Sequence, residues 1–149
     1  MEWTESDIAF IRAQRVARMA TVRRQDSPHV VPVCFAFDGE SFFTALDRKP
    51  KRVSPDRLRR VQNLQEDPSV ALILDEYNED WSQLRYLLVR GEAVLVTDPG
   101  ERRNAFRLLE EKYEQYRGVG LSEADWPLIR VAPMQVHRWQ ASEENPEEP

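Results

Sequence analysis

Seven basic residues (Arg48, Lys49, Lys51, Arg52, Arg57, Arg59 and Arg60) stand between Asp47 and Arg60 against two acids, Asp47 and Asp56. That excess of five positive charges sits in a chain of 149 residues whose formal net charge is -5. A solvated helix face is the plain explanation of such a run. Its position favours another one, because it follows directly on the apolar segment SFFTAL. Thr44 and Ala45 are small enough to let a planar ring approach the backbone. Arginine grips a phosphate through its forked donors and lysine as a point charge. The combination suits a phosphate-bearing cofactor that brings its own chemistry, with the protein supplying binding and orientation.

No other constellation competes. The two histidines, His29 and His137, lie far apart within strand-like patterns. With the single cysteine, Cys34, they make no zinc ligand set, so no metal site is expected. The carboxylates Asp75, Glu76, Glu79 and Asp80 read as a solvated loop. The five glycines are scattered and form no phosphate-binding loop. No catalytic acid–base pair is visible on the protein, which is consistent with hydride transfer.

The elements that must position these residues are legible from periodicity. Residues 4–15 read as a helix capped by Thr4 or Ser6. Period-two alternation then marks strands at Ala17–Arg23 and His29–Phe37, with Pro32 pointing to a strand edge, bulge or barrel corner. Asp38-Gly39 signals a hairpin into a third strand, Glu40–Leu46. After the basic run, Ser54-Pro55 opens a helix with the stripe Leu58, Val61 and Leu64, and Asp67-Pro68 stops it. Ser69–Tyr77 and Leu84–Thr97 are the fourth and fifth strands, the latter bulged near Gly91. Asp98-Pro99 opens a helix over 99–116 with the stripe Ala105, Leu108, Leu109 and Tyr113. Leu128–Trp139 is the sixth strand. The order predicts a mainly β (α+β) domain over residues 1–140, a six-stranded antiparallel barrel with short flanking helices, with a sandwich as the alternative. Residues 141–149 read as a disordered acidic tail.

Composition narrows the class. Apolar residues at 41% and charged residues at 32% describe a globular domain. An acidic chain does not suit nucleic acid. No apolar run has the length of a membrane span, and the start MEWTESDIAF is not a signal peptide, so a cytoplasmic protein is expected.

Five segments in order carry a resemblance: MATVRRQDSPHVVPVCFAFDG, SFFTALDRKPKR, LRRVQNLQEDPSVALILDEYNEDW, LRYLLVRGEAVLV and VHRW. Over residues 8–139 the chain resembles the pyridoxamine 5'-phosphate oxidase-like, FMN-binding split-barrel superfamily. Within it, the chain is most similar to the actinobacterial branch of coenzyme F420-dependent enzymes. The resemblance implies a six-stranded split barrel and a homodimer with two cofactor sites between the subunits. It implies a flavin or deazaflavin ring against Val31, Pro32, Val33 and Cys34, and against Thr44 and Ala45. The cofactor phosphate would meet Lys49, Lys51 and Arg52, with Arg48 beside them. Trp81, Arg85 and Trp139 are the candidates for closing the site from a second subunit. The expected activity is hydride transfer from coenzyme F420 to a small organic acceptor. An FMN-dependent oxidoreductase and a non-catalytic cofactor-binding protein are the alternatives. Vitamin B6 oxidation is not expected, because the terminal segment offers only His137 and Arg138 where those oxidases bind substrate.

Overall fold

Alternating apolar residues build a sheet with one face packed inward. The computed structural model of the chain describes residues 1–22, 28–46, 59–118 and 126–141. It contains β1 (Ala17–Thr21), β2 (His29–Val33), β3 (Ala36–Phe37), β4 (Phe42–Ala45), β5 (Ser69–Glu76), β6 (Arg85–Leu95) and β7 (Leu128–Gln140). Helices α1 (Glu5–Ala13), α2 (Arg59–Glu66) and α3 (Pro99–Lys112) accompany them. All the pairings are antiparallel, in the order β2-β1-β5-β6-β7-β4-β3. The first and last strands of that order are separated by only Cys34 and Phe35 in the chain. Val33 and Ala36 are three Cα steps apart and so lie within about 11 Å of each other. The sheet therefore curls until its two edges meet, which is the split-barrel architecture expected from the sequence.

The strand count is seven, not six, because the segment 29–37 is broken at Cys34–Phe35. A tyrosine from α3 explains the break. The Phe35 N–H donates to the Tyr113 hydroxyl at 3.0 Å. That hydroxyl lies 2.8 Å from the Arg15 carbonyl and 3.1 Å from the Phe35 carbonyl, and donates to one of them. The groups that would continue a strand ladder are thus occupied by a side chain. Two other ends also differ. The first helix stops at Ala13, and the third at Lys112, followed by a 3-10 turn at Glu114–Tyr116.

Inward side chains of the strands, with Phe10 and Ile11 of α1 and Val61 and Leu64 of α2, form the main core. A second core lies outside the curl, where Phe106 and Leu109 of α3 cover Ala36, Phe43 and Ala45. The Asp38-Gly39 turn forms as its sequence requires. Gly39 has φ +105°, and the Asp38 carboxylate accepts from the Glu40 and Ser41 N–H groups at 2.8 and 2.7 Å. The β6–β7 register shifts between Arg90 and Gly91, so the expected bulge is present. A Cβ on Gly91 would stand 2.2 Å from the Ala132 carbonyl oxygen, so only glycine fits there. The part of the acidic tail beyond Ala141 falls outside the described residues.

Candidate functional site

Helices α1 and α2 join the main core and α3 covers β3 and β4, but among the described residues β2, β1, β5, β6 and β7 keep an outward face with no helix on it. Register fixes what that face carries. Residues facing each other across the ladder form the row Pro32, Arg18, Ile73, Leu88, His137. The adjacent row is Val30, Ala20, Ala71, Arg90, Gln135. Val30, Val22 and Met134 on this side are 59%, 41% and 67% exposed. Between the rows and the bulge lies a groove of about 490 Å³, lined by Ala20, Val22, Ala71, Gly91 and Met134 among others. Polar features punctuate the apolar surface. Arg18 pairs with Asp75. Tyr86 stacks on Trp139 at 5.5 Å and 17°. His137, 6.0 Å from the Tyr86 ring, has a buried Nε2 with no hydrogen-bond partner.

The residues expected at a cofactor site fall into distinct groups. Pro32 and Trp139 lie on the outward face, near its opposite margins. Val31 and Val33 point inward with Met19 and Ala17. Thr44 is also inward and 4% exposed; Ala45 is 6% exposed under α3. Neither presents a side chain to solvent. Cys34 is half-buried against the second core. Trp81, 68% exposed, stands in the 3-10 turn Trp81–Gln83. Arg85 is tied to α1, its guanidinium 4.3 Å from the Phe10 ring centroid and 3.7 Å from the Asp7 carboxylate. Arg48, Lys49, Lys51 and Arg52 lie outside the described residues.

Asp7 explains that last engagement. It closes a capping box with Thr4 and receives Arg138 Nε at 2.9 Å. Burial alone would raise its pKa, but the hydrogen bonds from Arg138 and Thr4 outweigh burial and hold it below the ordinary carboxylate value. Sequence reading missed this centre and missed His137 with Tyr86 as a surface pair. Period two in Leu84–Thr97 and Leu128–Trp139 contained the second signal, since it puts Tyr86, His137 and Trp139 on one face. The first needed the contact across 131 residues. No group of three or more metal-ligating residues occurs among the described residues, and no helix there is long and apolar enough to cross a membrane.

Known proteins share this architecture. A reductase of 5a,11a-dehydrotetracycline and 5a,11a-dehydrooxytetracycline from Streptomyces rimosus is 29% identical over 104 residues, 69% of this chain and 70% of that protein. The crystal structure of HutZ, a heme storage protein from Vibrio cholerae, superimposes with a TM-score of 0.69 at 22% identity, covering 94% of this chain and 95% of that one. A structure described as an F420 reductase gives a TM-score of 0.63 at 24% identity, covering 91% and 98%. Residues 4–140 match the family model for pyridoxamine 5'-phosphate oxidase, PNPOx_N. With nearly its whole length matched and its edges closed into the same kind of curl, the chain belongs to the pyridoxamine 5'-phosphate oxidase family.

Proposed function

We propose that the protein is an oxidoreductase that transfers a hydride between coenzyme F420 and a small organic acceptor, in sites completed by a second copy of the chain. The row geometry carries this reading. Pro32 and His137 are separated by four strand spacings, about 19 Å along the sheet. A single copy therefore offers a ring either the β2 margin or the aromatic β6–β7 margin, not both. Two copies paired about a two-fold axis across the apolar face set one margin against the other, and do so twice.

The residues present fit such a cofactor. Pro32 with the β2 backbone forms one wall, and the partner's Trp139, with Trp81 nearby, supplies an aromatic cover. His137 Nε2 is a buried polar atom in want of a partner, as the polar edge of a deazaflavin would be. Lys49, Lys51 and Arg52 would hold the phosphate. When bound, the deazaflavin supplies the hydride chemistry; this chain binds it, orients it and keeps water from one side of it. Its anionic tail favours it over FMN at a run of seven basic residues. The Streptomyces relative, a reductase by name, supports reduction as the direction. The protein is read as cytoplasmic, where such cofactors work.

The test is a titration of purified protein with coenzyme F420 and with FMN, followed by turnover of the reduced deazaflavin. Lys51 and Arg52 are replaced together by alanine. A charge-assisted hydrogen bond contributes about 1.5–3 kcal/mol, so the loss of one or two of them should lower F420 affinity by roughly one to four orders of magnitude. Affinity unchanged in the double variant would remove the phosphate assignment. Tighter FMN binding in the wild type would transfer the reading to a flavin enzyme. Binding without turnover of any acceptor would leave a cofactor carrier.

A further inference from the structure

The place where the two sheet edges meet carries positive charge that no carboxylate among the described residues pairs with. Arg12 lies in the last turn of α1, Arg15 two residues beyond that helix, and Lys112 at the end of α3. The Arg15 guanidinium carbon is 4.8 Å from the Tyr113 ring centroid. Lys112 Nζ is 3.6 Å from the Phe35 centroid and 5.4 Å from that of Tyr113. Among the described residues, no carboxylate forms an ion pair with Arg12, Arg15 or Lys112. Glu111, the nearest acid in sequence, is held by Arg107 at 2.7 Å. Burial, followed by the charge of Arg15, lowers the Lys112 pKa to about 8, against a smaller opposing contribution from Cys34. Gathering like charges without a counter-charge works against the folded state. A fold that keeps them so leaves room for an anion from outside.

There is room. Arg12 and Lys112 share a cavity of about 230 Å³ whose other walls are Ala36, Phe37 and Glu111, the last with its carboxylate held by Arg107. Two cations and a carbon surface ask for a particular kind of ligand. Inorganic phosphate would leave the apolar wall unused, and a neutral aromatic would leave the cations unused.

We propose that this cleft between the end of α1, β3 and the end of α3 binds a small organic carboxylate. The carboxylate lies between Arg12 and Lys112, and an apolar or aromatic body rests on Ala36 and Phe37. The site is independent of the cofactor reading and stands or falls separately from it.

The experiment titrates purified protein with benzoate, benzamide and inorganic phosphate at low salt. Binding is followed by calorimetry and by amide chemical shifts around Lys112. Benzoate should bind at least tenfold more tightly than either of the others. It should shift the amides of Ala36, Phe37 and Lys112. The double variant Arg12→Gln, Lys112→Met should lose at least tenfold in benzoate affinity while keeping a Tm no lower than wild type, because it removes unpaired like charges, methionine keeps an apolar chain beside Phe35, and Arg12 is exposed. The single variant Arg12→Gln repeats the test should the double variant fold poorly. Equal binding of benzoate and benzamide, phosphate binding as tight as benzoate, or wild-type benzoate affinity in the folded variants would each overturn the proposal.

Discussion

Tyr113 is the residue on which the closure of the curl depends most directly. Its ring is buried in the second core, and its hydroxyl takes the Phe35 N–H and donates to a carbonyl of Arg15 or Phe35. Replacing it with phenylalanine keeps the ring and strands a buried N–H. That loss should cost about 1–3 kcal/mol, read as a lower urea midpoint with an unchanged slope. The hydroxyl also has a signature in pH. Burial pushes its pKa up to about 12 from 10.0. Above pH 10 the unfolded tyrosine loses its proton while the folded one keeps it, so the unfolded state binds fewer protons and stability falls with pH. Lys112 acts in the opposite direction. Its folded pKa of about 8 lies below the ordinary 10.5. Between those values the unfolded state binds more protons and stability rises. Wild-type stability should therefore rise from about pH 8 toward 10 and decline beyond it, and Tyr113→Phe should lose much of the decline. A wild-type curve falling steadily from pH 8 would contradict the Lys112 assignment.

Among the elements, α1 is the one whose seat depends on charge. The Thr4–Asp7 capping box was half legible, since Thr4 was a candidate cap. That the same carboxylate would receive Arg138 from the far end of the chain was not, because no local pattern records a contact between the first helix and the last strand. Asp7 is buried and paired, so Asp7→Ala removes one partner and leaves the Arg138 and Arg85 charges without theirs. Breaking a buried pair in this way costs about 3–5 kcal/mol; the exposed side of Arg138 puts the expectation at the lower end. The folded carboxyl titrates below its unfolded value of 3.8, so its contribution is present above that pH and is lost as pH falls through the lower folded value. Denaturant melts of wild type and Asp7→Ala should converge in strong acid. Parallel curves down to low pH would mean that Asp7 is not ionised in the folded protein. The strands were legible for a different reason: alternation over five or more residues is a local signal. The two-residue β3 was not, because its separation from β2 is imposed by Tyr113, distant in sequence. Gly91 was legible as an irregularity, while the 2.2 Å approach of Ala132 that demands it was not. The candidate site was legible least, because neighbours such as Val31 and Pro32 lie on opposite faces of one strand and a motif read as a block does not separate them.

At the scale of the whole molecule, the question is what covers the outward face. Among the described residues the helices lie elsewhere: α1 and α2 pack against the inner core and α3 against β3 and β4. What remains open carries Val30, Ala20, Ala71, Ile73 and Leu88 in adjoining register rows, with exposed Met134 at the groove. Apolar area contributes roughly 25 cal/mol per Å² when removed from water, and contiguous patches of this kind mark association surfaces. A second copy is the occupant that also brings the two margins of the proposed site together. Light scattering should therefore find a dimer at micromolar concentration, and its interface should be at least of standard size, about 1,600 Å². Ile73 and Leu88 lie near the middle of the row and are only half-buried in the single chain. Ile73→Glu with Leu88→Glu should leave the fold intact and place four carboxylates at the two-fold centre, yielding a monomer. If the cofactor is held between copies, this variant should also lose coenzyme F420 affinity, although neither residue belongs to the basic run after β4. A monomeric variant that binds the deazaflavin as tightly as wild type would confine the site to one chain. A wild-type protein that is monomeric at micromolar concentration would remove the shared site altogether.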